Sequence, residues 1–183
     1  MDGAERVVGP IGHFSVGLAF KPASPKVPLT LLLLAAWLLD VLAIGFGFAG
    51  IESGGSEGSV WSHGLLMAVV WSVLAAVLAT KIFRDRRAGV VVGLVVFSHW
   101  ILDFVSHPIP FSSFSWRSWQ WSYGKPLPSD LPLLFGNSPK VGFGLYNSIS
   151  AIQATVLEIA MLALGAVIYA RYVLRNQKSR RAT

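Results

Sequence analysis

The chain has 183 residues, of which 54% are hydrophobic and only 13% are charged. This composition excludes an ordinary soluble domain, because such domains carry about a quarter of their residues as Asp, Glu, Lys and Arg. The formal net charge is +6, and the absence of cysteine excludes a disulfide framework, thiolate metal sites and a cysteine nucleophile. The sequence therefore indicates a protein whose main solvent is a lipid bilayer.

Four apolar segments are long enough to cross a hydrocarbon core of about 30 Å, which takes about 20 helical residues. They cover residues 28–50, 59–80, 88–108 and 150–173. The first is too long for the apolar core of a signal peptide and contains Asp40, so we interpret it as an uncleaved span. The predicted fold is an all-α, polytopic membrane protein, a four-helix transmembrane bundle that forms one domain over residues 28–173.

The segments outside these spans are expected to be short or irregular. Residues 1–27 are predicted to lie at the cytoplasmic interface or to re-enter the bundle, and residues 174–183 form a basic cytoplasmic tail. The outer connection, residues 109–149, begins with the aromatic-rich stretch FSSFSWRSWQWSY. Aromatic rings favour the membrane interface, so this stretch is expected to lie along the outer surface as a lid or collar, or to grip a substrate.

Basic residues predict the orientation, because short loops rich in Lys and Arg stay on the cytoplasmic side. Twelve of the fifteen lie on one side of the four-span arrangement: Arg6, Lys21, Lys26, Lys81, Arg84, Arg86, Arg87, Arg171, Arg175, Lys178, Arg180 and Arg181. We therefore predict a multi-pass inner-membrane protein with both termini in the cytoplasm. The basic tail would also suit nucleic acid, but contact with lipid headgroups explains it, so the predicted partner is the bilayer and not nucleic acid.

Ionisable side chains inside the predicted spans are functional candidates, because an unpaired charge in a bilayer costs several kcal/mol. The strongest pattern is SHWILDFVSH, residues 98–107, which places His99, Asp103 and His107 within about 80° on one helix face. Two imidazoles and a carboxylate on one face suit a divalent metal with N and O ligands. The alternative is a His–Asp pair that joins two helices, with His107 at the interface.

The depth of the polar residues favours the metal. Counting about 1.5 Å per residue from the predicted span ends places one group between the midplane and the outer surface. Its members are Asp40, His63, His99, Asp103 and Glu158. A metal in a low-dielectric pocket would neutralise carboxylates and satisfy imidazoles together. His13 lies in a segment too short to span, where composition favours an inert interfacial histidine over one that re-enters the bundle.

Several motifs together resemble the bacterial membrane-bound metal-dependent hydrolases. These are GHFSVGLAFKPASP, an aspartate in the first span, GIE, SHGLLMAVVW, SHWILDFVSH, and DLPL and PKVGFGLYNS before a span with a glutamate. The resemblance, over about residues 12–158, implies that His13 is a ligand or near-ligand and that its segment re-enters the bundle. It implies further polar site positions at Asp40, His63, His99, Asp103 and His107, and acidic ones at Glu52, Asp130 and Glu158. One departure is GSV at residues 58–60, where the wider group has an HRG-type stretch.

The first functional hypothesis is an integral membrane metal-dependent hydrolase that activates water against an ester or phosphoester, with a lipid-like substrate suggested by the site's outer position. The candidate ligands of a divalent metal, zinc by preference, are His13, Asp40, His63, His99, Asp103 and His107. The candidate catalytic residues are Asp40 and Glu158, with Glu158 as general base. The second hypothesis is a small permease or a proton- or metal-conducting protein with the same polar cluster, and the third is a structural role for that cluster. The sequence does not separate the first two.

Overall fold

The computed structural model describes residues 11–51, 60–106, 109–110, 140–141 and 143–181. This part is helical apart from an antiparallel pair of two-residue strands, β1 (Ile109–Pro110) and β2 (Lys140–Val141). The helices are α1 (Ile11–Phe20), α2 (Leu29–Ala36), α3 (Leu38–Phe48), α4 (Val60–His63), α5 (Leu65–Phe83), α6 (Arg86–Ser106), α7 (Leu145–Ser148) and α8 (Ala151–Arg181), with a 3-10 turn at Lys21–Ala23. The helical fold class predicted from the sequence is confirmed.

Three helices, α5, α6 and α8, are each long and apolar enough to cross a membrane. A fourth candidate is formed by α2 and α3 together, but these two helices are bent by 59° where they meet. The first predicted span is therefore two short helices and not one straight helix. The break falls at Trp37, whose φ of −110° and ψ of 9° lie outside the helical range, and whose N–H bonds back to Leu34.

The other predicted spans differ from the structure mainly at their ends. The second span is divided at Gly64, whose extended backbone (ψ 145°) separates α4 from α5. The third corresponds to α6, and the fourth continues as α8 through most of the predicted tail. The aromatic stretch of the outer loop lies outside the described residues, so its predicted place at the membrane surface remains a prediction.

Helices α5 and α6 form a close antiparallel pair joined by a tight turn. Arg84 ends α5 in the left-handed region, at φ 48°. On α6, Gly89 faces Thr80 and Ala76 of α5, and a Cβ atom at Gly89 would lie only 2.6 Å from the Ala76 carbonyl oxygen. A glycine is therefore needed here for the two backbones to approach, as at other small-residue contacts between membrane helices.

Helix α1 is inserted among α2, α6 and α8. Gly12, His13, Ser15 and Gly17 are all buried, so the expectation from composition that His13 lies at an interface is wrong. The segment is too short to show a clear apolar period, and its burial comes from three neighbouring helices that its own sequence does not reveal. Insertion of the N-terminal segment, which the family resemblance implied, agrees with the structure.

The direction of α1 follows from contacts at the two ends of residues 13–26. His13, at one end, contacts Asp103 near the end of α6, and Lys26, at the other end, forms an ion pair before the start of α6. Lys26 lies 2.9 Å from Asp85, in the turn between α5 and α6, and the bound ammonium holds the pKa of the Asp85 carboxyl below its usual value. The chain around α1 therefore runs antiparallel to α6. Its C-terminal side lies near the α5–α6 turn, and its N-terminal end lies near the last turns of α6.

The apolar core lies where α2 and α3 meet α6, and Leu32, Leu39, Val95 and Val96 are fully buried there. By contrast, α5 and α8 leave most of their apolar side chains on the outside of the bundle. Examples are Val73, Leu74 and Leu78 on α5 and Ile152, Val156 and Leu164 on α8. Such continuous apolar faces are typical of helices surrounded by lipid.

Candidate metal centre

Five ionisable side chains meet inside the bundle and form what we call the His/Asp cluster. They are His13 on α1, Asp40 on α3, His63 at the end of α4, and His99 and Asp103 on α6. Their potential ligand atoms form two groups, His13 with His99 and Asp103, and His99 with Asp40 and His63. Within each group the atoms lie within 4.8 Å of one another, and His99 belongs to both. Four segments far apart in sequence therefore supply one polar centre.

Four atoms of the cluster form a closed ring of short separations. His63 Nε2 lies 3.2 Å from Asp40 Oδ1 and 3.7 Å from Asp103 Oδ2. His99 Nε2 lies 3.6 Å from Asp40 Oδ1 and 3.3 Å from Asp103 Oδ2. Two ligands of a tetrahedral metal with bonds of about 2.0 Å lie about 3.3 Å apart. The donors are therefore spaced as the ligands of a small divalent ion are.

The helix break at Trp37 fixes the orientation of His99. The Nδ1 atom of His99 donates a hydrogen bond to the carbonyl oxygen of Ala36, the last residue of α2, over 2.9 Å. A carbonyl oxygen can only accept, so Nδ1 carries the proton and Nε2 of the neutral ring holds a lone pair. An imidazole held by a backbone carbonyl in this way is the usual arrangement of a histidine metal ligand.

The Nε2 atom of His99 is buried and has no hydrogen-bond partner among the described residues. Its two nearest charged neighbours are the carboxylate oxygens of Asp40 and Asp103, which would repel a nitrogen lone pair. A divalent cation at this point would balance the two carboxylate charges and accept the lone pair of His99, so the donor set could hold a metal ion.

His13 contacts two members of the cluster, His99 and Asp103. Its ring stacks on that of His99, with the ring centroids 3.9 Å apart, and its Nε2 lies 3.2 Å from Asp103 Oδ1. The two oxygens of Asp103 therefore face different histidines, since Oδ2 faces His63 and His99. This arrangement suits either direct ligation by His13 or a role in which His13 holds the Asp103 carboxylate in position.

The opposite side of the cluster is more open. The side chain of Asp40 is 32% exposed, whereas that of His99 is 1% exposed. His63 is mostly buried, and its Nδ1 lies 2.8 Å from Ser62 Oγ, which orients the ring so that Nε2 faces Asp40. An ion held here would consequently be bordered by a partly exposed carboxylate at Asp40 and by deeply buried side chains at His13 and His99.

Of the remaining candidates, the structure describes only Glu158, which is not a member of either group. Glu158, on α8, is buried on the His13 side, where its Cγ would lie 3.7 Å from a Cβ atom placed on Gly12. His107, Glu52 and Asp130 lie outside the described residues, so their predicted roles are not tested by the structure. The Ala36 carbonyl was not predicted from the sequence, because a backbone group leaves no residue-type signal and LLLLAAWLLD contains no Gly or Pro to mark the break.

Comparison of the chain with models of protein families, with curated proteins and with solved structures gives no match. The fold and the cluster therefore define its class by themselves. The described part of the chain is helical, has three candidate membrane-spanning helices, or four with the bent pair, and contains a His/Asp group that could hold a metal ion.

Proposed function

We propose that the chain is an integral membrane metal-dependent hydrolase whose His/Asp cluster holds one divalent metal ion. We assign the ion as zinc because imidazole nitrogens and carboxylate oxygens are common zinc ligands. The observation that carries this proposal is the buried, unpartnered His99 Nε2 between two carboxylates. The motifs that resemble the bacterial membrane-bound metal-dependent hydrolases favour the same activity. The substrate class is an ester or phosphoester that is lipid-like.

The roles follow from the position of each residue. Asp40, His63, His99 and Asp103 would hold the ion, and His13 would hold the second oxygen of Asp103. When bound, such an ion lowers the pKa of a ligated water towards about 7 and polarises the scissile oxygen. Proton transfer from water is assigned to Glu158, which is buried close to Gly12, while Asp40 is the more exposed carboxylate of the cluster.

Replacement of Glu158 by glutamine tests this assignment, because it keeps the side-chain shape and removes the base. We expect turnover to fall at least about 100-fold, the usual contribution of a general base, while the metal content stays at the wild-type level. The assay would use bis-p-nitrophenyl phosphate and p-nitrophenyl esters with detergent-purified protein. Turnover by the Glu158→Gln variant at the wild-type rate would remove Glu158 from the mechanism, and metal-free wild-type protein would overturn the proposal itself.

A second candidate function, transport of the ion, is favoured by the broken helix. In secondary transporters, ion sites lie near the midplane beside helices that are interrupted there, and the bend at Trp37 lies three residues before Asp40. Zinc uptake into liposomes containing the purified protein, in the absence of any ester or phosphoester turnover, would support the permease and contradict the hydrolase.

For the location, we propose a multi-pass protein of the inner membrane with its C-terminus in the cytoplasm, based on the basic residues of the α5–α6 turn and of the end of α8. A reporter that is active only in the cytoplasm should give a signal when it is fused to the C-terminus. A reporter that is active only outside the cytoplasm should give a signal when it is inserted within residues 112–125. Detection of both reporters on the same side of the membrane would refute the proposed topology.

A further inference from the structure

A pocket continues the cleft that α1 fills between α6 and α8. Helix α1 contacts both of these helices, and near its N-terminal end the described residues leave a pocket that is also lined by α7. The pocket has a cavity volume of about 50 Å³ and is partly open to the outside, so it has room only for a short, narrow group. Its apolar walls are formed by Leu102, Val105, Leu145, Leu157 and Met161.

The mouth of the pocket lies on the apolar exterior of the bundle. Val105 and Leu145 line the pocket and are themselves 37% and 36% exposed. A ligand entering here would come from the hydrocarbon region surrounding the helices, so the pocket favours an amphiphile from the bilayer over a water-soluble molecule.

His13 lines the pocket and also belongs to the His/Asp cluster. His13 is 2% exposed, and its Nδ1 has no hydrogen-bond partner in the described part of the chain. A buried polar nitrogen of this kind is costly unless a ligand pairs with it. The ring also stacks on His99, so a polar group bound at His13 lies directly beside the proposed metal site.

We propose that this pocket binds the alkyl chain of the ester substrate, with the polar end of the ligand at His13 and the chain between α6 and α8. This inference rests on the proposed function, because the head group is the part that would be hydrolysed. The chemical class of the substrate is thus narrowed to an ester or phosphoester with a short apolar chain that reaches the site from the side, through the bilayer.

Alkylphosphonates of increasing length test the pocket, since they resemble a phosphoester and are not hydrolysed. Binding of ethyl-, butyl- and hexylphosphonate would be measured for the wild type, for Met161→Trp, which fills the pocket, and for Ile159→Trp, a control on the outer face of the same helix. In the wild type and in Ile159→Trp, each methylene that enters the pocket should tighten binding about fourfold, and the gain should stop once the pocket is filled. Met161→Trp should lose this gain. An equal chain-length dependence in all three proteins would overturn the inference.

Photolabelling separates this inference from the hydrolase proposal, because it needs neither metal nor turnover and uses the wild-type protein. An alkyl diazirine with a phosphonate head should label Leu102, Leu157 or Met161, and excess hexylphosphonate should suppress the labelling. Labelling confined to outward residues such as Ile159, with no suppression, would contradict the pocket. Labelling of the pocket in protein that binds no metal would retain the ligand site and reject the hydrolase.

Discussion

Replacement of His99 or of Asp103 by alanine should abolish metal binding. We expect the metal content of detergent-purified protein to fall from about one ion per chain to less than one tenth. The Nε2 atom of His99 lies 3.3 Å from Oδ2 of Asp103. His99 also belongs to both groups of potential ligand atoms. Loss even of a residue that only orients a ligand typically weakens metal binding 10- to 100-fold, so loss of a ligand should do more.

Ser98→Ala is the matched control for these two variants. Ser98 is adjacent to His99 on α6, but its hydroxyl donates only to the Val95 carbonyl oxygen, at 2.6 Å. This variant should therefore keep the wild-type metal content, which plasma emission spectrometry of the purified proteins would measure. Equal metal content in wild type, His99→Ala and Asp103→Ala would show that the cluster is not the binding site.

Replacement of Gly165 by alanine should destabilise the protein markedly. Gly165 on α8 lies against the backbone of Ser15 on α1, and a Cβ atom there would come within 2.9 Å of Ser15 Cα. Both contacting groups are backbone, so α1 must move away from α8. Overpacking of this kind costs about 1–3 kcal/mol, which exceeds the gain of about 1 kcal/mol that alanine normally brings to a helix interior.

Gly45→Ala isolates the helix-propensity gain from the packing cost. Gly45 lies inside α3, and no atom lies within 4 Å of the position that its Cβ would take. Thermal unfolding in detergent, followed by circular dichroism, should show Gly45→Ala unchanged or slightly stabilised and Gly165→Ala lowered by several degrees. Equal melting temperatures for Gly165→Ala and the wild type would mean that α1 does not pack against α8 as described.

The common face of the polar side chains on α6 could be predicted from the sequence, because the helical period and the length of the apolar span are local properties. His99 and Asp103 are four residues apart on one long helix, so their common face follows from helix geometry alone. Asp40 and His63 could be assigned to the same depth because span length fixes how far each lies from the membrane surface. The close approach of these four side chains therefore agrees with the prediction that they lie at one depth.

Features that depend on tertiary packing could not be predicted in the same way. The burial of His13 is produced by the three helices around α1, and nothing in IGHFSVGLAF specifies them. The bend at Trp37 has no Gly or Pro to mark it, and its consequence, the Ala36 carbonyl on His99, involves a backbone atom. The pocket beside His13 arises from the gap between α6 and α8, which are more than forty residues apart in the sequence.

X-ray absorption spectroscopy of the wild-type protein at the metal edge tests the central claim most directly. The proposed site predicts one divalent ion per chain, with N and O ligands at about 2.0–2.1 Å and the outer-shell scattering of at least two imidazole rings, His63 and His99. Protein that contains no stoichiometric metal, or a metal shell of oxygen atoms without imidazole scattering, would contradict the assignment of the His/Asp cluster as a metal centre.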